Sequence, residues 1–260
     1  MKKILLTLTL LTNLSFSATP EQVEQYLLVS NAEEELLALQ SQFSAMQNSF
    51  KPQESNASEE NTYDMQMLSI RFKDYLQKHL SDDEMTEILD NYKNVVLLQF
   101  VSATSEAENH DQNQTMTYVK QLKASPESDE RIALVENISK ELYSKEAMVV
   151  MFDELMKPLM ENGIGGQKMS NEIVRATKEN YLKMMIEASK AETLYASKDF
   201  TMEELEELLK IAQTPAIDHE AKAVFGAMAY SLKEFFMSLA SRFDVGKHQP
   251  PSTTDTKHTK

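Results

Sequence analysis

Apolar residues recur along this chain at steps of three and four nearly throughout, the spacing of one face of an α-helix, and no convincing alternating strand segment breaks the pattern. The first run follows Thr19-Pro20-Glu21-Gln22, which sets an N-cap before proline at the first helical position, with Gln three residues after the cap. From there Val29, Ala32, Leu36, Leu39, Phe43, Met46 and Phe50 form a heptad-like seam. Residues 51–61 contain Pro52 with Ser, Asn and Glu and read as a loop. The next helix places Leu68, Phe72, Tyr75, Leu76 and His79 on one face. Further on, a helix near Glu146 to Met160 turns Met148, Phe152, Leu155 and Leu159 inward, and Asn162 to Gln167 breaks it. A long helix from about Asn171 to Ser197 uses Val174, Tyr181, Met185, Ala188 and Tyr195. Thr214-Pro215 starts a last helix carrying Val224, Met228, Leu232, Phe235, Phe236, Leu239 and Phe243. The pattern predicts an all-α protein.

One helix start is written twice, 120 residues apart: Leu80-Ser-Asp-Asp-Glu-Met85 and Phe200-Thr-Met-Glu-Glu-Leu205. Ser81 and Thr201 are placed as caps, and Glu84 and Glu204 as the residues that bond back. Leu80 with Met85, and Phe200 with Leu205, are spaced as hydrophobic staples. The stripe Met85, Ile88, Leu89, Tyr92 matches Leu205, Leu208, Leu209, Ala212 position for position. Ser125-Pro126-Glu127 likewise resembles the Thr19-Pro20-Glu21 start. The expectation is two related helical bundles in tandem: unit 1 over 18–108, a linker region at 109–124 around the polar run Glu108 to Thr115, and unit 2 over 125–243. Residues 244–260 are polar, contain Pro250-Pro251, and read as a disordered tail.

The chain opens with Lys2 and Lys3, an apolar run from Ile4 to Leu14 too short to span a bilayer, and then Ser15-Phe16-Ser17. This is the layout of a secretory signal peptide over 1–17, with cleavage after Ser17, or after Ala18 as second choice. The expected location is the periplasm or the exterior, with no stable membrane insertion after cleavage. The chain has no Cys, which removes disulfides, lipoprotein processing, thiol catalysis and thiolate metal sites. Its net charge is −15, so nucleic acid is not an expected partner.

The second half resembles the bacterial domain-of-unknown-function family numbered 2059. The residues that carry this are Phe200-Thr-Met-Glu-Glu-Leu205, Leu208-Leu209 and Thr214-Pro215, followed by the final amphipathic helix, within Glu146 to Phe243. The Leu80 to Tyr92 stretch echoes it, but Asn94-Val95 stands where the second copy has Thr214-Pro215. The resemblance implies an exported, short, all-helical protein with no established activity, and it supplies no catalytic residues.

Candidate chemistry is sparse. His79, His110, His219, His248 and His258 show no ligand spacing, so no metal site is assigned. The acid pairs Asp82-Asp83 and Glu203-Glu204 lie in the first turns of helices, where the dipole favours negative charge, and no catalytic residue is assigned to them. Gly163-Ile-Gly165-Gly166 has neither a preceding strand nor a following Gly-Lys-Ser/Thr, so it reads as a helix-terminating turn. Met148, Met151, Met156 and Met160, with Met184-Met185, suit core packing first, an apolar groove second and Cu(I) third. Asn56 and Asn113 stand in Asn-x-Ser/Thr sites with an acid two residues earlier, like the extended bacterial glycosylation sequon, in segments that read as loops. Asn137-Ile-Ser139 lacks that acid and falls in a helix. The expected role is a non-enzymatic helical interaction or structural protein without a cofactor, whose partner is an unidentified protein or apolar ligand. The alternative is a ligand-binding or holdase-like module with a Met-rich apolar groove.

Overall fold

The computed structural model describes residues 16–49, 63–108, 112–162 and 169–242, and these are all-helical, with no strand among them. Helix α1 (Pro20–Val29) opens with the expected capping box: Gln22 N–H donates to Thr19 Oγ1 at 3.2 Å, and Thr19 N–H to Gln22 Oε1 at 2.7 Å. The apolar seam does not continue as one helix. Asn31 adopts φ 62°, a left-handed conformation that Asn tolerates, and its Nδ2 donates to Ser105 Oγ at 2.8 Å. Helix α2 (Ala32–Ser49) therefore leaves in a new direction.

Helix α3 (Gln66–His79) is followed by extended Leu80 and then by α4 (Asp82–Asn91), capped by Ser81. Residues 16–18 run antiparallel to 80–82: Asp82 N–H donates to the Phe16 carbonyl at 2.7 Å and Ala18 N–H to that of Leu80 at 2.9 Å. Asn94 Oδ1 accepts from Val96 N–H at 2.8 Å at the start of α5 (Val95–Glu108). The region expected as a linker carries a helix, α6 (Gln112–Lys123). Ser125-Pro126-Glu127 lacks an amide or acid three residues after its Ser. It makes no side-chain cap, and a 3₁₀ turn at Pro126–Ser128 leads into α7 (Asp129–Leu142).

Helix α8 (Lys145–Met151) passes through a π turn (Phe152–Met156) into α9 (Lys157–Asn162). The Lys157 N–H reaches back to the Phe152 carbonyl, five residues away. Pro158 next offers no N–H and would crowd the preceding turn, so the wider turn accommodates it. Helices α10 (Asn171–Ala196), α11 (Met202–Ala212) and α12 (Pro215–Arg242) complete the chain.

Helix α12 is the axis. It packs on α3, α8, the π turn, α4 and α7. Beside Ile217, Leu232 and Phe235, its buried residues include the small Ala216, Ala223, Ala227 and Ala229, which let neighbouring backbones approach closely. Gly226 lies against Tyr75 of α3, where an added Cβ would sit 2.7 Å from Tyr75 Cζ. The largest core cluster draws on both halves: Leu27, Leu76, Met85 and Ile88 join Ile138, Leu194, Leu205 and Leu208. A second cluster gathers Phe43, Leu68, Leu155, Leu159 and Phe235.

The inward face of α10 differs from the expected stripe. Ala188 is exposed and Tyr181 and Met185 are half-buried, whereas Leu182, Ser189, Thr193 and Leu194 are buried. Small hydroxyls enter this face because each is satisfied within its own helix: Thr193 Oγ1 donates to the Ser189 carbonyl at 2.7 Å, and Ser197 Oγ to that of Thr193 at 2.7 Å. Arg131 of α7 then spans the turn after α10. Its guanidinium donates to the carbonyls of Ser197, of Lys198 (3.2 Å) and of Phe200 (2.8 Å).

Candidate functional site: a recess over a buried glutamate

The inward positions of α12 include one ionisable residue. Glu220 falls four residues after Ala216 and three before Ala223, both buried, so the helix turns it into the core, where it is 8% exposed. Tyr26 arrives from the capped helix α1, and Tyr92 from the C-terminal end of α4. Both phenols donate to the same atom, Glu220 Oε1, at 2.8 Å from Tyr26 and 2.5 Å from Tyr92. Their rings meet edge to face, with centroids 5.9 Å apart at 80°.

No hydrogen bond among the described residues runs to Oε2, and Glu220 lines a recess of about 180 Å³. Leu97 and Phe100 of α5 and Ile217 of α12 add apolar wall. Ser30, Glu35, Thr104 and Tyr143, all partly or fully exposed, stand toward solvent. No Lys, Arg or His is among the lining residues described.

Burial pushes the Glu220 carboxyl up to about 7, and the two phenol hydrogen bonds pull in the opposite direction. Tyr26 and Tyr92 are both held well above the ordinary phenol value, first by burial and then by the Glu220 charge. Oε1 thus accepts both hydroxyls, and Oε2 is the carboxyl oxygen to which no described residue donates.

The residues singled out by motif do not enter this site. Ser81 and Thr201 cap α4 and α11. Glu84 and Glu204 N–H donate to their hydroxyls at 3.2 Å, and both carboxylates accept from the cap N–H groups, at 2.8 and 2.7 Å. Glu84 also meets His219 Nδ1 at 3.0 Å, tying α4 to α12 beside the recess. Its carboxyl is held below the usual range, chiefly by the Ser81 backbone bond and then by the Ser81 hydroxyl. The staples are seated, with Leu80, Met85 and Leu205 buried and Phe200 packed on the same core.

Asn113 is exposed in the first turn of α6, a helix where a loop was expected, and Asn56 lies outside the described residues. His79 stacks on Tyr75 at 3.7 Å, while His110, His248, His258 and the Gly163 to Gly166 segment lie outside the described residues. Met148 and Met160 are buried, and Met151 and Met156 pack against apolar clusters. Met116 instead lines a groove of about 510 Å³ between α6 and α10, together with Val119, Leu194, Lys120, Lys123 and Lys190.

Sequence motifs pointed to neither Glu220 nor Tyr26, and to Tyr92 only as a stripe residue. The available signal was an acid at an inward helical position, in Ala216-Ile-Asp-His-Glu220-Ala-Lys-Ala223. No protein-family model, curated protein or solved structure matches the chain.

Proposed function

We propose that this chain is an exported, non-enzymatic helical binding protein that holds a small polar ligand in the recess over Glu220. The observation that carries the reading is a buried carboxyl lining the recess, with one oxygen pinned by two phenols and the other, Oε2, without a hydrogen bond from any described residue. A rigid floor of this kind selects a ligand by one polar contact inside an apolar wall. The test is ligand-observed NMR on the purified protein with a panel of small metabolites, run beside Ala221→Leu, which fills the recess. Saturable binding abolished by Ala221→Leu is expected. Binding that survives the filled recess, or no binding at all, refutes the reading.

Export rests on the Lys2-Lys3 and Ile4 to Leu14 layout, and the resemblance to family 2059 supports an envelope role. Cleavage after Ser17 is favoured over cleavage after Ala18, because Ala18 is buried and its nitrogen reaches the Leu80 carbonyl. N-terminal sequencing of secreted protein should therefore begin at Ala18. Two related units remain the proposal for the chain's organisation, supported by the matching caps, staples and stripes of α4 and α11. Glycosylation at Asn56 and Asn113 is proposed from the sequons, and an unmodified intact mass from the native host would dismiss it.

A protein partner is the second reading, favoured by the α6–α10 groove. Its apolar floor carries Lys120 and Lys123, with Lys190 paired to Glu187 at 3.7 Å, on a chain of net charge −15, which suits an acidic amphipathic segment. Crosslinking in the native envelope fraction, lost on Lys120→Glu with Lys123→Glu, is the check.

A further inference from the structure

We infer that the lysine-bearing face of α6 docks into an acidic, apolar groove between α1, α2 and α5 of a second copy of this chain; this partner rests on the α6–α10 groove being the protein-contact surface proposed above. Met116, Lys120 and Lys123 follow one another at steps of four and three, so they share one face of α6, and all three line that groove. Val119 and Leu122 pack on the core, whereas Met116 is 65% exposed. Lys190 of α10 is paired with Glu187 at 3.7 Å. The unpaired charge of the groove therefore belongs to α6, whose Lys120 and Lys123 have no ion pair among the described residues.

A matching surface lies elsewhere on the chain. Leu28, Glu34, Leu98 and Glu106 line a groove of about 410 Å³ where α1, α2 and α5 meet. Leu28 is 73% exposed, and Leu98 and Val95, one turn apart on α5, are exposed as well. Apolar side chains left at the surface around a groove mark a contact site. Glu34 and Glu106 have no ion pair among the described residues, and no Lys, Arg or His is among the lining residues described. The helix dipole explains why lysines close α6 and acids open α2. It does not explain the large apolar residues exposed beside them.

A second copy is the occupant because each surface carries what the other lacks. A chain of net charge −15 repels its own copies wherever acid meets acid, and at the α6 face the sign reverses. Laid in the groove, Met116 covers Leu28 and Leu98, while Lys120 and Lys123 meet Glu34 and Glu106. This is an amphipathic helix edge seated in a groove. Helix α6 has 12 residues, a length of about 18 Å at a rise of 1.5 Å per residue. So short a contact falls at the low end of interface size, and the association is weak and concentration-dependent. Because the two surfaces differ, copies either close as a pair with two such contacts or join head to tail.

The experiment is sedimentation velocity on the purified protein from about 5 to about 500 μM, the range of weak affinities, in salt that shortens the Debye length to about 8 Å and so screens the overall repulsion. Two double variants are run beside the wild type: Lys120→Glu with Lys123→Glu, and Glu34→Lys with Glu106→Lys. All four residues are exposed, so the fold is spared. The wild type should self-associate, and each variant alone should do so roughly tenfold more weakly or not at all. An equimolar mixture of the two variants should recover association, because lysine again faces glutamate at every contact. The variants move the net charge in opposite directions, so loss in both cannot come from net charge. A wild type that stays monomeric throughout, association that survives in either variant, or a mixture that fails to recover it overturns the inference. The protein-contact reading is decided separately by the crosslinking above, where a product other than the chain's own dimer marks a different partner.

Discussion

Replacing Glu220 with Gln keeps the shape of the side chain and an oxygen for both phenols, but removes the titration. In the wild type the carboxyl titrates near 7 when folded and at its ordinary value of 4.5 when unfolded. Below 4.5 both states hold the proton. Between 4.5 and 7 the unfolded chain has released it and the folded chain has not, so the folded state loses ground as pH rises. The contribution is thus fully present at low pH and is lost through pH 7. Each pH unit in that window is worth about 1.4 kcal/mol, which gives a total of roughly 3 kcal/mol and roughly 2–3 kcal/mol between pH 5 and pH 8. The side chain is 8% exposed, so screening removes little of this.

The assay is urea unfolding of wild type and Glu220→Gln at intervals from pH 5 to pH 8. Staying above pH 5 avoids Glu84, whose depressed carboxyl acts in the opposite sense: its stabilisation is lost only as pH falls below its ordinary value. Contributions common to both proteins cancel in the difference. The variant should gain on the wild type steadily with pH, by about 1 M in urea midpoint at an m of about 2–3 kcal/mol/M. Parallel curves for the two proteins would mean that Glu220 ionises alike in the folded and unfolded chains, and the buried-acid account would fail.

Three further outcomes are expected from the packing. Gly226→Ala should cost about 1–3 kcal/mol, because its Cβ meets the Tyr75 ring, and Tyr75→Leu in the same chain should restore part of the loss; an unchanged melting temperature contradicts the close approach. Arg131→Lys removes the fork over the Ser197, Lys198 and Phe200 carbonyls, and should lower stability by about 1–3 kcal/mol and speed amide exchange in the turn before α11; unaltered exchange there would show that the turn holds without it. Ser81→Ala and Thr201→Ala should each cost about 1 kcal/mol in chemical unfolding and add in the double variant, since they cap separate helices; a neutral Thr201→Ala would remove the stabilising role of that cap.

Local features were legible because their physics is local. A cap, its reciprocal acid and a staple lie within six residues, so Leu80 to Met85 and Phe200 to Leu205 could be read as helix starts and both are. The Phe152, Leu155 and Leu159 stripe was readable for the same reason. Where a single residue or a longer contact decided, periodicity misled. Asn31 turned the seam of α1 and α2, and the α10 stripe shifted because buried hydroxyls bonded to their own helix count as polar in a pattern.

The sequence by itself determined that the described chain is helical, where several helices start, and which large apolar side chains pack inward. Tertiary structure alone decided which helices share a core and that Tyr26, Tyr92 and Glu220 meet, across 194 and 128 residues of chain. Periodicity says only that a residue faces inward. What an inward-facing acid meets, and hence its charge and its use, depends on helices distant in sequence.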